Sequence, residues 1–178
     1  MRVLQHWRHR AALFWYRADT DAWIFASIVG TILAAFGVAL AFLVAEREAR
    51  RERLVAAHRE NLQCLARNIY FEARGEPLAG QYAVAEVTMN RKAAALYPRT
   101  VCEVVYEKAA FSWTLLGRLP EPMGKEWQLA QQVAESVYYG RNAPVAKGAL
   151  FYHATYVRPA WAASRERIGR IGRHVFYR

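Results

Sequence analysis

From Ala22 to Ala45 the chain carries 24 consecutive residues without a charge, and no other feature restricts its fold so severely. At the rise of an α-helix the run is about 36 Å long, slightly more than the roughly 30 Å hydrocarbon core of a bilayer. Trp23 stands at one edge, where an aromatic side chain anchors at the membrane interface. A buried core helix is the soluble alternative, but such helices rarely run past about 18 residues in this way. A cleaved signal peptide is the nearer alternative. Ala39-Leu40-Ala41 offers it small residues, yet its apolar region is usually only about 7–15 residues long. We therefore read 22–45 as one uncleaved transmembrane helix.

The flanks do not orient this helix. Residues 1–21 form a tail with Arg2, Arg8, Arg10 and Arg17 beside Asp19 and Asp21. On the other side, Arg47, Arg50, Arg51 and Arg53 alternate with Glu46, Glu48 and Glu52. The arginines match in number, so the excess of cations that marks a cytoplasmic flank is missing. Residues 46–60 contain neither Gly nor Pro and read as a charged helical stalk with a solvated face. The remaining residues, 61–178, are enough for one compact domain.

Composition narrows the chemistry of that domain. Both aspartates precede the apolar run, so every later acid is a glutamate. An Asp-containing triad, an Asp-rich calcium loop and an aspartic dyad are excluded there. After the apolar run only His58, His153 and His174 join Cys64 and Cys102, with no His-x-x-x-His or Cys-x-x-Cys spacing, so no metal is expected. Neither a glycine-rich nucleotide loop nor a G-x-S-x-G elbow occurs, and no cofactor is expected. The net charge of +10 raises the question of nucleic acid. However, the arginines are scattered among apolar positions and no nucleic-acid motif accompanies them. A basic domain at a membrane suits an anionic polymer equally well.

The pattern of elements is α+β. Leu62, Leu65, Ala66 and Ile69 predict an amphipathic helix that ends before Gly75-Glu76-Pro77. A second helix is expected over 78–95. A third follows Pro122, with Trp127, Ala130, Val133, Ala134, Val137 and Tyr138 on one stripe and Gly140 as its stop. Short strands are expected at 111–113, 149–153 and 174–177, forming a small antiparallel sheet. Cys64 and Cys102 are two buried thiols in a reducing compartment. In an oxidising one they pair, closing a loop of about 38 residues and stabilising by roughly 3–4 kcal/mol.

Glu72 lies in the segment Asn68-Ile69-Tyr70-Phe71-Glu72-Ala73-Arg74-Gly75-Glu76-Pro77, among apolar neighbours and near the end of its helix. Desolvation and the negative helix end both disfavour its anion, as a general acid requires. Arg67 and Arg74 oppose this. On residue types alone, an exposed glutamate in a last helical turn fits as well.

The stretch LARNIYFEARGEPLAGQYAVAEVTMNR resembles the SleB-type (spore-cortex-lytic) cell wall hydrolase family. The resemblance continues through YPRTVCEVVYEKAAFSW and GALFYHATYVRPAW to IGRIGRHVFYR, covering 62–178 in the family's order. The placement of Cys64 and Cys102 looks like the Gram-negative branch. The resemblance implies a lysozyme-like, transglycosylase-type fold, mostly helical with a small antiparallel sheet. It also implies cleavage of peptidoglycan glycan strands between N-acetylmuramic acid and N-acetylglucosamine. The family's catalytic glutamate is the first of its E-A-R-G-E motif, here Glu72. In a lytic transglycosylase this single acid protonates the leaving oxygen. It then takes the proton of the sugar's own C6 hydroxyl, closing a 1,6-anhydro ring.

Gln81, Asn90 and Arg91 fall in the matching second helix, as candidates to orient Glu72 or bind sugar. Phe111, Trp113, Tyr152 and Tyr156 are candidates to stack on pyranose rings, with ordinary core packing as the alternative. His153 and His174 are expected to hydrogen bond, and Glu76 to cap a turn or pair with an arginine. Peptidoglycan lies outside the inner membrane, so the resemblance implies a single-pass protein with residues 1–21 cytoplasmic and its domain periplasmic. There the two cysteines would pair. A membrane-anchored scaffold that binds cell wall without cleaving it is the competing expectation, and cleavage of the muramyl–peptide amide is a third.

Overall fold

The computed structural model describes the backbone of residues 2–178 and, within residues 1–20, the side chains of Ala12, Trp15, Tyr16 and Thr20. The charged groups assigned above to the tail, Arg2, Arg8, Arg10, Arg17 and Asp19, lie outside the described side chains. The chain divides into two compact units, Met1–Leu54 and Val55–Arg178. Helix α1 (Arg2–Ala73) contributes to both. Expected transmembrane, stalk and domain helices are thus parts of one element, because no Gly-Pro breaker separates them.

In the first unit the side chains of residues 22–45 are all exposed, including Phe25, Ile32 and Phe36. The helix here is long and apolar enough to cross a membrane. Its hydroxyls are turned onto its own backbone: Ser27 Oγ donates to the Trp23 carbonyl at 2.8 Å, and Thr31 Oγ1 to that of Ser27 at 2.9 Å. A hydroxyl paired in this way presents no unsatisfied donor to hydrocarbon.

In the second unit, the C-terminal part of α1 buries Cys64, Leu65, Ala66, Asn68 and Ile69. This is the face that the apolar spacing predicts. Pro77 precedes α2 (Leu78–Ala93), which is buried over its middle, from Gly80 to Thr88 with Tyr82 half-buried. A capping box at Thr100 and Glu103 starts the short α3 (Val101–Tyr106), which the apolar spacing alone does not reveal. Helix α4 (Gly124–Tyr138) buries Ala130, Val133, Ala134 and Val137, and Gly140 follows it with φ +64°. Cys64 of α1 and Cys102 of α3 are joined by a disulfide.

Three strands follow, β1 (Phe151–Ala154), β2 (Arg167–Ile171) and β3 (His174–Tyr177). They form an antiparallel sheet in the order β1-β3-β2. The expected strand at 111–113 is corrected: Ser112–Leu115 is a 3-10 turn. Its backbone is satisfied locally, with the Thr114 and Leu116 amides donating to the carbonyls of Phe111 and Trp113. The third strand is β2, hidden from sequence reasoning because a bulge between Arg167 and Gly169 breaks its alternation.

Two cores result. One gathers α1, α3, α4 and Trp113; the other sets Ala83 and Val87 of α2 against Ala146, Ala149 and Phe176. Helix α2 thus ties the helical layer to the sheet.

Candidate active site

Asn68, fully buried on α1, fixes the floor of the site. Its Nδ2 donates to Thr88 Oγ1 of α2 at 3.1 Å, and its Oδ1 accepts from Trp113 Nε1 at 2.9 Å. One amide therefore locks α1, α2 and the 3-10 turn together. Phe71 stacks on the Trp113 ring with centroids 4.8 Å apart. The next residue along α1 is Glu72, whose carboxylate faces a cleft of about 420 Å³.

Three elements meet at that carboxylate. Tyr152 of β1 donates its hydroxyl proton to Glu72 Oε2 at 2.9 Å. The Tyr152 ring is itself held by Phe176 and His174, with centroids 5.6 Å and 5.1 Å away. Burial raises the pKa of Glu72, against the opposing hydrogen bond from Tyr152, the charge of Arg91 and the hydroxyl and amide of Ser112. Burial also pushes the Tyr152 hydroxyl well above its ordinary value, reinforced by the neighbouring Glu72 charge. The result is a half-buried carboxyl group biased towards its protonated form and oriented by a fixed donor.

His153 lies in the same cleft. Its Nδ1 is 2.9 Å from the Ala154 carbonyl and its Nε2 2.9 Å from the Tyr177 hydroxyl. A carbonyl only accepts, so Nδ1 carries the proton and Nε2 accepts from Tyr177. His174 departs from expectation: its Nδ1 is buried without a hydrogen-bond partner, 3.9 Å from Glu76 Oε2. Burial lowers its pKa, with Arg173 and His153 adding to the effect against the pull of Glu76.

Glu76 is held away from the cleft. Its Oε2 accepts from the Arg173 amide at 2.8 Å and its Oε1 from Arg173 Nε at 2.7 Å. Burial alone would raise its pKa, but these bonds and the charges of Arg173 and His174 hold it below the ordinary value. Gly172, in the β2–β3 turn at φ +57°, comes so close that a Cβ there would lie 2.1 Å from Glu76 Oε2. Glu76 pins the turn between α1 and α2 to the β2–β3 hairpin. Glu86 makes a similar buried clamp, accepting from the amides of Val145 and Ala146 and from Asn142.

Of the residues singled out from the sequence, Glu72, Arg91, Phe111, Tyr152, His153, Tyr156 and His174 line the one cleft. Phe111 is buried beneath Arg91, so it supports the wall and offers no open stacking face. Trp113 is also buried and lines a neighbouring cavity of about 280 Å³ on the other side of Phe71. Gln81 and Asn90 are not brought to the cleft. Gln81 donates to the Glu76 carbonyl at 3.2 Å and Asn90 to that of Ala149 at 3.0 Å. Sequence reasoning missed Ser112, hidden in an expected strand, and the locking role of Asn68. Among the described residues no three His, Cys, Asp or Glu side chains gather as a metal site.

Comparison with known proteins agrees with this architecture. A family model described as Cell Wall Hydrolase matches residues 75–177, a span that begins just after Glu72. The spore cortex-lytic enzyme of Oceanobacillus iheyensis is 34% identical over 117 residues, covering 65% of this chain and 41% of that protein. That of Bacillus subtilis is 31% identical over 137 residues, covering 72% and 43% respectively. The chain thus spans about two-fifths of the length of these curated relatives. The crystal structure of the Bacillus cereus SleB catalytic domain superposes with a TM-score of 0.59 at 30% identity. That match covers 67% of this chain and 91% of the solved one. The catalytic domain of the germination-specific lytic transglycosylase SleB from Bacillus anthracis gives 0.58 at 31% identity, covering 66% and 93%.

Proposed function

The chain belongs to the cell wall hydrolase family, and from that premise we propose that it cleaves peptidoglycan glycan strands with Glu72 as general acid and then base. The observation that carries this reading is the Glu72 carboxyl group, half-buried at the cleft and fixed by Tyr152 at 2.9 Å. In the proposed reaction Glu72 gives its proton to the glycosidic oxygen between N-acetylmuramic acid and N-acetylglucosamine. The bond from muramic C1 to that oxygen breaks, and positive charge develops on C1 and the ring oxygen.

A hydrolase of the usual kind needs a second carboxylate, about 5–9 Å away, to activate water or attack C1. Among the described residues lining the cleft, Glu72 is the one carboxylate. Glu76 is already bound at both oxygens by Arg173. The lone acid favours a lytic transglycosylase: the muramic C6 hydroxyl attacks C1, its proton passes to Glu72, and a 1,6-anhydro ring closes. No water is consumed.

The same reading places the apolar helix over 22–45 in the inner membrane, as a single-pass anchor with the domain in the periplasm. Exposure of that whole segment and its self-paired hydroxyls support an anchor. The disulfide supports an oxidising compartment.

Mass spectrometry of material released from sacculi tests the reaction. Muramyl ends lighter by one water are expected from wild type and none from E72Q, which should still sediment with sacculi. Reducing ends would overturn the transglycosylase step. Equal release by E72Q would make the domain a binder.

A further inference from the structure

Arg91 stands in the cleft with half of its side chain committed and half free. Its Nε donates to the Leu150 carbonyl at 2.8 Å. Its guanidinium lies over the rings of Phe111 and Tyr97, 5.2 Å and 5.7 Å from their centroids. Among the described residues, neither terminal nitrogen donates to a protein acceptor and no carboxylate pairs with it. It is also the one permanent cation among the described residues lining the cleft.

This cation works against the acid beside it, since its charge favours the Glu72 anion. The other groups facing Glu72 are the hydroxyls of Tyr152 and Ser112, and the two histidines of the cleft add no permanent charge. A cation that opposes the chemistry, yet is anchored at Nε and stacked on two rings, is placed for another purpose. A guanidinium with a free edge matches a carboxylate, to which it offers two parallel N–H donors.

We propose that Arg91 is a specificity-determining residue that binds a carboxylate carried by the muramyl unit next to the bond cleaved at Glu72. The inference rests on the glycan-cleavage reading and adds to it the substrate group that is read. Two groups supply that chemistry: the lactyl carboxylate of a strand without peptide, or the nearest free carboxylate of an attached stem peptide. Either one neutralises Arg91 when bound. Its pull on Glu72 is then offset while the proton is needed, and the anion lies near the positive charge developing at C1.

The test uses the full chain in detergent micelles and four substrates. These are intact sacculi, sacculi stripped of stems by an amidase, and each of the two after carbodiimide coupling to ammonia, which turns carboxylates into neutral amides. For wild type, kcat/KM on at least one native substrate should exceed that on its amidated form by about tenfold, the scale of one charged hydrogen-bonded pair. The stem-bearing or the stripped pair, whichever shows the ratio, identifies the source. In R91Q the ratio should fall to within about twofold of unity, and R91K, a cation without the fork, should lie between.

A wild-type ratio of one on both pairs overturns the proposal, as does an R91Q ratio equal to wild type at an unchanged melting temperature. If R91Q does not fold, R91K decides, and an unaltered ratio there overturns it. Equal fragment release from all four substrates sinks this inference and leaves glycan cleavage standing. No release from any substrate sinks both.

Discussion

Tyr152 and Glu72, 80 residues apart, are joined by a 2.9 Å hydrogen bond that ties strand β1 to the last turn of α1. The bond and the surrounding burial pull the carboxyl group in opposite directions, and burial prevails.

Activity should therefore fall as pH rises through a value above the ordinary glutamate range, because the general acid must carry its proton. In Y152F the donor that favours the anion is gone, so Glu72 should hold its proton to still higher pH. The alkaline limb of kcat/KM should shift upward, with a severalfold lower maximum from the less firmly held carboxyl group. A limb that moves down, or stays, contradicts this assignment of the bond.

The Glu76–Arg173 link should make folding acid-sensitive. A carboxylate with a lowered pKa in the folded state stabilises at pH above its unfolded value, near about 4.3, and the benefit is lost as pH falls through the folded value. The melting temperature of wild type should therefore decline below about pH 4.3, and E76Q, which is less stable at neutral pH, should decline less steeply there. Parallel curves from differential scanning calorimetry would show that Glu76 does not contribute.

Two glycines of the same hairpin should respond differently to alanine. At Gly172 the φ of +57° and a Cβ placed 2.1 Å from Glu76 Oε2 act together, and G172A should cost about 2–4 kcal/mol in urea unfolding. A Cβ at Gly169 meets nothing within 4 Å, so G169A should cost less than about 1 kcal/mol. Equal losses would mean that the hairpin is not pressed against the α1–α2 corner.

Breaking the Cys64–Cys102 disulfide, whose partners are 38 residues apart, opens the loop between α1 and α3. The paired replacement C64A/C102A should lose about 3–4 kcal/mol. Dithiothreitol should lower the wild-type melting temperature and leave that of the double variant unchanged.

The helices were the most legible part of the sequence, because their apolar faces repeat at the helical period. Leu65, Ala66 and Ile69 on α1, and Ala130, Val133, Ala134 and Val137 on α4, are buried as that spacing requires. Strand β3 was equally readable as an apolar run, whereas β2 contains two arginines, a glycine and a bulge, and has no such signature. The 111–113 segment misled because aromatic residues flanking a serine resemble a strand, although Trp113 is turned inward onto Asn68. Glu72 stood out as a charge among apolar neighbours. Its partner Tyr152 could be named from its motif, but pairing residues 80 apart needs the tertiary fold. Gln81 and Asn90 lie on the readable helix α2, yet their amides serve the carbonyls of Glu76 and Ala149. A periodic pattern identifies a face of a helix without revealing whether the neighbour is substrate or backbone.

The strand order has a consequence for how such a chain becomes competent. Strand β3 is made after β1 and β2, yet it is the central strand and supplies the ladder partners of both. Before His174–Tyr177 emerges, β1 has no neighbour to set its register, and the tyrosine that orients Glu72 has no fixed address. A nascent chain therefore holds Glu72 before it has the strand that fixes the partner of Glu72.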